Sequence, residues 1–190
     1  MRLMRFVFTA AGLALTLASP AFAETAKKPV SINTEPATLG FSVGYFDVKE
    51  NTPRNEAVDF RVEYRSDFDM LRLVNAQNSY VTIRPFGGVE ATSDKALYGL
   101  GGFVFDALIG KWIVVSPSVG VGLYHDGDGK NMGSFIEFRS TMEAGVRFED
   151  ASRLTVSYGH ISNAKITATN PGSEILSLNY HMPVERIFGK

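Results

Sequence analysis

Apolar and polar residues alternate with a period of two along most of this chain. In the segment 136–148, Ile136, Phe138 and Met142 fall on one parity, whereas Glu137 and Arg139 fall on the other. Successive side chains of a β-strand point to opposite faces, so this pattern predicts a strand with one apolar and one charged face. Turn residues separate eight such segments, and we predict strands at Leu39–Val48, Ala57–Tyr64, Tyr80–Val89, Leu97–Ala107, Trp112–Tyr124, Phe135–Phe148, Arg153–Ala164 and Glu174–His181.

The two longest apolar stretches, at 97–109 and 112–123, are interrupted by glycine and proline. Helix is disfavoured there, because glycine costs about 1 kcal/mol and proline about 3 kcal/mol relative to alanine inside a helix. Small residues on one parity of 112–124 suit the crowded interior of a narrow closed barrel. The pattern therefore predicts an all-β fold, an eight-stranded antiparallel up-and-down transmembrane β-barrel of the outer-membrane type. The alternative is a soluble lipocalin-like barrel or β-sandwich.

The first 23 residues have the features of a secretory signal peptide. Arg2 and Arg5 flank an apolar run at 6–18, and Ala21-Phe22-Ala23 forms a small-x-small cleavage site. An N-terminal membrane anchor is the weaker alternative, since a spanning helix needs roughly 20 apolar residues. We expect a signal peptide at 1–23, a polar leader at 24–38 and the barrel at 39–190.

An amino terminus in the periplasm places the connections after the first, third, fifth and seventh strands outside the cell. The connection at 65–79 is long for an inner turn. Its segment Phe68–Leu73 is expected either to extend a strand or to form a short helical turn.

Composition excludes several classes of function. The 190 residues include no cysteine, and the formal net charge is −1. These values exclude disulfide-stapled modules and thiolate metal sites, and they argue against a nucleic-acid partner. The run 126–131 begins like a calcium loop, but Lys130 and the glycine at 129 occupy the wrong positions for one. We therefore expect no metal and no cofactor.

Three polar residues share the apolar parity of the last two predicted strands. His160 and Ser162 lie two positions apart, which places both on one face with Cα atoms about 6.5–7 Å apart. A histidine within reach makes a serine nucleophilic, and a third group normally orients the base. Glu174 can supply that group, and Asn163 can donate an amide to a developing oxyanion.

The alternative is an interfacial histidine beside a hydroxyl near the barrel rim. Polar groups left in lipid without partners cost several kcal/mol, and this cost favours a function for the set.

The residues around this set resemble a known family. His-Ile-Ser-Asn-Ala at 160–164, Asn-Pro-Gly-Ser-Glu at 170–174 and the following final strand are similar to the signature of the PagL family, the outer-membrane lipid A 3-O-deacylases. The interval between His160 and Glu174 is similar as well, and the likeness extends more loosely over 84–90 and 120–125.

The resemblance implies a serine esterase in the outer membrane of a Gram-negative bacterium. Its triad would open sideways onto the membrane and cut the ester-linked 3-hydroxyacyl chain at the 3-position of lipid A. By the resemblance, Ser162 is the nucleophile, His160 is the base and then the acid, and Glu174 orients His160. The partner would be lipid A or lipopolysaccharide in the outer leaflet. The sequence leaves open whether the protein forms a homodimer.

The resemblance also assigns residues around the triad. Asn163 would contribute its side chain to the oxyanion hole, together with a backbone amide at Lys165. Phe138 and Ser140 would face the substrate. The family often has glycine at the position of Lys165, and some members carry an acid at that of Ser140. Two further functions stay open, a non-catalytic small barrel of the adhesion or membrane-integrity type and an outer-membrane phospholipase.

Overall fold

The computed structural model describes residues 35–49, 55–76 and 79–189. The predicted signal peptide and most of the polar leader lie outside these residues. The described chain forms strands β1 (Thr38–Phe46), β2 (Ala57–Arg65), β3 (Leu71–Ala76), β4 (Ser79–Thr92), β5 (Leu97–Ile109), β6 (Ile113–Val115), β7 (Ser118–His125), β8 (Ile136–Arg147), β9 (Arg153–Ser162) and β10 (Ser173–Pro183), followed by a short helix, α1 (Val184–Phe188). No helix in the described ranges is long and apolar enough to cross a membrane.

The strands form one antiparallel sheet that closes on itself. The first strand, β1, pairs with β2 on one side and with β10 on the other. Strands β2 and β3 both pair with β4, and strands β6 and β7 both pair with β5 and β8. Strands β2 and β3 together therefore form one interrupted strand of the barrel, and β6 and β7 together form another. The barrel has eight strands, which confirms the predicted fold.

The two interruptions have local causes. Pro117 lies between β6 and β7 and has no N–H to donate to a neighbouring strand. Its carbonyl still accepts a hydrogen bond from Phe105 N at 2.8 Å, so the pairing continues on both sides. The segment 68–73 leads into β3, and Met70 N donates to Ile83 O at 2.8 Å. Of the two predictions for this segment, strand extension is correct.

The two faces of the barrel wall differ as the alternation predicts. On β8, the side chains of Phe138 and Met142 are exposed on the outside, whereas Glu137, Arg139 and Glu143 are buried in the lumen. The same division holds around the wall, where the exposed outer side chains include Phe41, Val43, Phe60, Val62, Phe103, Val119, Val121, Leu154, Val156, Leu176 and Leu178. An apolar outer surface around a charged interior suits a lipid environment.

The buried charges pair with one another across the lumen. Arg139 contacts Glu63 and Glu90, each at 2.9 Å, and Arg65 Nη2 lies 2.6 Å from Glu143 Oε2. A buried charge without a partner is strongly destabilising, so the pairs allow a polar interior in a narrow barrel.

The segment that precedes β1 contacts the inner end of the lumen. Glu35 is buried there and accepts hydrogen bonds from Arg153 Nη2 at 3.0 Å and Arg147 Nη2 at 3.3 Å. Arg84 Nη1 donates to Pro36 O at 3.2 Å. The predicted site residues lie at the opposite, outer end of the strands, on the outside of the wall.

Candidate functional site

His160 and Glu174 face each other across the last hairpin of the barrel. They are direct partners in the antiparallel register of β9 and β10, and His160 Nδ1 lies 3.4 Å from Glu174 Oε1. The imidazole is 45% exposed and the carboxylate 17% exposed. Both share the outward parity of Tyr158 and Leu176, whose side chains are exposed on the apolar wall. The predicted contact between these two residues is therefore present, on the outer face.

Ser162 is the last residue of β9 and has the same parity as His160. Its side chain is half-buried. Within the described residues, its hydroxyl makes no hydrogen bond to His160. Catalytic hydrogen bonds are often long without substrate and tighten in the complex.

Phe138 and Ser140 flank this pair from the neighbouring strand. In the β8–β9 register, Phe138 is the partner of Ser162, and Ser140 is the partner of His160. Phe138 is exposed on the outer wall, and Ser140 is half-buried. The structure thus gathers Phe138, Ser140, His160, Ser162 and Glu174 on one outward patch near the outer end of three adjacent strands.

The strand β9 ends at Ser162 rather than at the predicted Ala164. Ala164 and Lys165 have positive φ values of 52° and 66°, which no extended strand accommodates. Asn163 N donates to Asn170 Oδ1 at 3.0 Å, so the chain already turns at Asn163.

The Asn163 side chain is buried and bonds within this connection. Its Nδ2 donates to Met132 O at 3.1 Å, Thr167 Oγ1 at 3.0 Å and Thr169 O at 2.8 Å. Its Oδ1 accepts from Lys165 N at 2.9 Å. The two predicted oxyanion donors, the Asn163 amide and the Lys165 N–H, are therefore both engaged in holding the connection between β9 and β10.

The turn after β1 also reaches the site, which the sequence did not indicate. Val48 N donates to Glu174 O at 3.0 Å, and Lys49 Nζ lies 3.7 Å from Glu174 Oε1, the oxygen nearest His160. This contact depends on the pairing of β1 with β10, and no local pattern around Lys49 predicts it.

Beneath this turn lies a buried polar cluster. Asp47 Oδ1 accepts hydrogen bonds from Lys130 Nζ at 2.7 Å and from Ser173 Oγ at 3.1 Å. All three residues are buried. The cluster joins the turn after β1, the connection between β7 and β8, and the first residue of β10.

Below the polar patch, the outer wall carries a shallow apolar groove. It runs along β10 between β9 and β1, and its lining includes Val43, Tyr45, Val156, Leu176 and Leu178. A second stretch continues it towards the inner end, past Phe41, Leu154 and Tyr180. The groove starts about two residues from Glu174, or roughly 6.5–7 Å along the strand.

The outward patch carries the groups that nucleophilic chemistry uses. Within residues 35–49, 55–76 and 79–189, no three His, Asp or Glu side chains converge as metal ligands. The groups available on the outer patch are a hydroxyl, an imidazole and a carboxylate, which are the parts of a serine triad.

Comparisons with known proteins bear on the family and on the fold. A sequence model of the family described as "Lipid A 3-O-deacylase (PagL)" matches residues 90–183. The structure described as "Crystal structure of the outer membrane enzyme PagL" superimposes with a TM-score of 0.62 and 21% identity, covering 77% of this chain and 99% of that one. A de novo designed transmembrane β-barrel matches with a TM-score of 0.53 and 12% identity, covering 80% of this chain and 98% of its own.

No curated protein sequence matches the chain. The structural likeness extends over most of the barrel, and the matched residues 90–183 include the whole of the outward patch. The resemblance to the PagL family, indicated by residues 160–164 and 170–174, is therefore confirmed by the family's sequence model and by the fold.

Proposed function

We propose that this protein is an outer-membrane serine esterase that removes the ester-linked 3-hydroxyacyl chain at the 3-position of lipid A. The observation that carries the proposal is the contact of His160 with Glu174 on the lipid-facing wall, with Ser162 on the same face. The family match over 90–183 supports lipid A as the substrate class.

In the proposed reaction, Glu174 accepts a hydrogen bond from His160 Nδ1–H and fixes the tautomer of the ring. The Nε2 atom of His160 then takes the proton of Ser162 Oγ as this oxygen attacks the ester carbonyl. The tetrahedral intermediate collapses when His160 returns the proton to the sugar oxygen, which leaves as the alcohol. Water, activated by the same imidazole, releases the 3-hydroxy acid from Ser162.

The negative charge on the tetrahedral oxygen needs donors aimed at it. In the proposal, these are Asn163 Nδ2 and the Lys165 N–H. Both now bond within the connection after β9, so binding of the ester would exchange those bonds for bonds to the oxyanion.

The position of His160, Ser162 and Glu174 on the outer wall suits a substrate that arrives from the membrane. An enzyme for a soluble ester would place its nucleophile in a cleft open to water, whereas this face is continuous with exposed Tyr158 and Leu176. The apolar groove below Glu174 would receive an acyl chain. The outer end of the strands still gives water access for the second step.

The proposed location is the outer membrane of a Gram-negative bacterium, reached through the periplasm after removal of the predicted signal peptide at 1–23. The closed barrel with its apolar outer wall supports this location.

The proposal is tested by mass spectrometry of lipid A from cells that express the parent protein, Ser162→Ala or Ser157→Ala. Ser157 lies on the same strand but faces the lumen, where its hydroxyl contacts Asn179, so this variant is the matched control. We expect loss of one hydroxyacyl chain with the parent and the control, and none with Ser162→Ala. Fragmentation assigns the position of the lost chain.

Identical lipid A spectra for all strains would refute the deacylase proposal. If phospholipids lose acyl chains instead, the phospholipase alternative replaces it.

A further inference from the structure

We propose that Lys49 binds a phosphate group on the headgroup of the lipid substrate and thereby orients its ester towards Ser162. This inference rests on the proposed function, and it adds a specificity-determining residue outside the triad. Lys49 lies in the turn after β1, on the other side of Glu174 from His160, and no sequence motif indicates it.

The ammonium group of Lys49 is placed for a ligand rather than for stability. Its side chain is 73% exposed, and Nζ lies 3.7 Å from Glu174 Oε1. An exposed ion pair of this kind contributes only about 0–1 kcal/mol. An ammonium has three N–H donors, so the contact with one carboxylate oxygen leaves capacity for an anion.

The backbone that carries Lys49 is held firmly. Val48 N donates to Glu174 O, and Asp47 has a positive φ of 64° with its carboxylate bound to Lys130 and Ser173. The exposed side chain therefore extends from a fixed backbone. Less freedom is lost on binding when the supporting groups are already ordered.

The charge of Glu174 gives a second reason to expect that Lys49 binds a phosphate group. A phosphate that approaches this end of β10 meets the carboxylate of Glu174, and like charges repel. The ammonium group of Lys49 lies 3.7 Å from one oxygen of that carboxylate. Its charge offsets the repulsion at the place where an anionic headgroup would come closest to the triad.

The order of Lys49, the triad residues and the apolar groove along the wall matches the order of headgroup, ester and acyl chain in an amphiphilic lipid. The ester of such a lipid lies between its polar headgroup and its acyl chain. Here Lys49 lies at the outer side of Glu174, and the apolar groove with Leu176 and Leu178 lies at the inner side. A phosphate at Lys49 and a chain in the groove place the ester beside His160 and Ser162 in one orientation.

The test measures kcat and KM of purified protein in detergent micelles with two substrates, lipid A and the same lipid A after enzymatic removal of its phosphates. The variants are Lys49→Gln and Lys49→Arg. Lys95→Gln is the matched control, because Lys95 is also an outer-end lysine paired with a carboxylate, Asp128, but belongs to another connection.

With phosphorylated lipid A, we expect Lys49→Gln to raise KM roughly tenfold, the effect of losing one charge-assisted hydrogen bond, and to lower kcat as well, because the ester is no longer held in one orientation. Lys49→Arg should restore KM, and Lys95→Gln should match the parent. With dephosphorylated lipid A, the parent and Lys49→Gln should have the same KM.

An unchanged KM in Lys49→Gln would overturn the inference. An equal loss on both substrates would also overturn it, since Lys49 would then act through Glu174 rather than on phosphate. If the parent releases no acyl chain from either substrate, the proposed function itself fails, and this outcome is distinct from the other two.

Discussion

Lys130 and Asp47 form an ion pair beneath the outer end of the candidate site, with Nζ 2.7 Å from Oδ1 and side-chain exposures of 3% and 0%. The two residues come from different outer connections, and Ser173 binds the same carboxylate oxygen. The carboxylate of Asp47 therefore joins the turn that carries Lys49 both to the connection between β7 and β8, through Lys130, and to the first residue of β10, through Ser173.

Lys130→Met should destabilise the barrel by about 3–5 kcal/mol, because it leaves the buried carboxylate of Asp47 without its cation. Activity should fall with it, since the turn after β1 that carries Lys49 loses its anchor to the connection between β7 and β8. Urea unfolding in detergent, followed by the fluorescence of Trp112, measures the change. The double variant Lys130→Met/Asp47→Asn should recover part of the lost stability, and a single-variant loss below about 1 kcal/mol would contradict the assigned role.

Gly172→Ala should reduce activity more than stability. Gly172 has a φ of 70°, and an added Cβ would lie 3.0 Å from His160 Cε1. The imidazole that faces Glu174 must therefore move by a few tenths of an ångström to make room for the methyl group. We expect at least a tenfold loss in hydrolysis rate, because misplacement of a catalytic group by about 1 Å costs on the order of 100-fold.

Gly110→Ala is the control for this prediction. Gly110 has a φ of 65°, but an added Cβ there meets no atom within 4 Å. Both variants should lose about 1–2 kcal/mol of stability from the left-handed backbone. Only Gly172→Ala should lose activity, and equal hydrolysis rates would show that Gly172 does not position His160.

Glu174→Gln should lower kcat by roughly 10³–10⁴-fold while the fold is kept, because the neutral amide no longer holds His160 in the required tautomer. Release of hydroxy acid from lipid A in micelles gives the rate. Glu185→Gln, on the exposed helix α1 at the inner end, should behave as the parent. A Glu174→Gln rate within threefold of the parent would remove Glu174 from the mechanism.

Glu35 should make stability depend on pH in the acid range. Burial by itself raises the pKa of Glu35, but Arg153, Tyr80 and Arg147 outweigh it and hold this pKa below its ordinary value. The carboxylate therefore stabilises the fold fully above its unfolded pKa of about 4.3, and this contribution is lost as pH falls towards the lower pKa of the folded state.

Glu35→Gln should accordingly lower the free energy of unfolding at pH 7 by about 1–3 kcal/mol, the cost of a broken hydrogen bond to a charged group. The difference from the parent should shrink below about pH 4.3. Unfolding curves at pH 7 and pH 3.5 measure it, and a difference that grows at acid pH would contradict the assignment.

Much of the barrel could be predicted from local pattern. The alternation of Glu137 with Phe138 defines the two faces of its strand, because side-chain direction in a strand depends only on position parity. The same parity placed His160, Ser162 and Glu174 on the apolar side. The 65–79 connection was ambiguous, since its short apolar run fits a strand or a helical turn equally well.

Local pattern was less informative where the chain leaves the strands. Asn163 has the residue type of an oxyanion donor, but in the structure its amide binds Met132, Thr167 and Thr169 around the turn. A polar side chain next to a nucleophile has several partners within reach, and only the folded connection selects among them.

The sequence by itself determined the eight strands and their lipid-facing and lumen-facing sides. It also determined that three polar residues, His160, Ser162 and Glu174, lie on the apolar, lipid-facing side. Only the tertiary structure decided which residues meet: the hairpin register that sets Glu174 opposite His160, the approach of Lys49 to Glu174 across the β1–β10 seam, and the ion pair between Asp47 and Lys130 of two outer connections. Alternation is a property of neighbouring residues and can be read along the chain. Contacts across the β1–β10 seam join residues more than 120 positions apart, and they exist only once the sheet has closed.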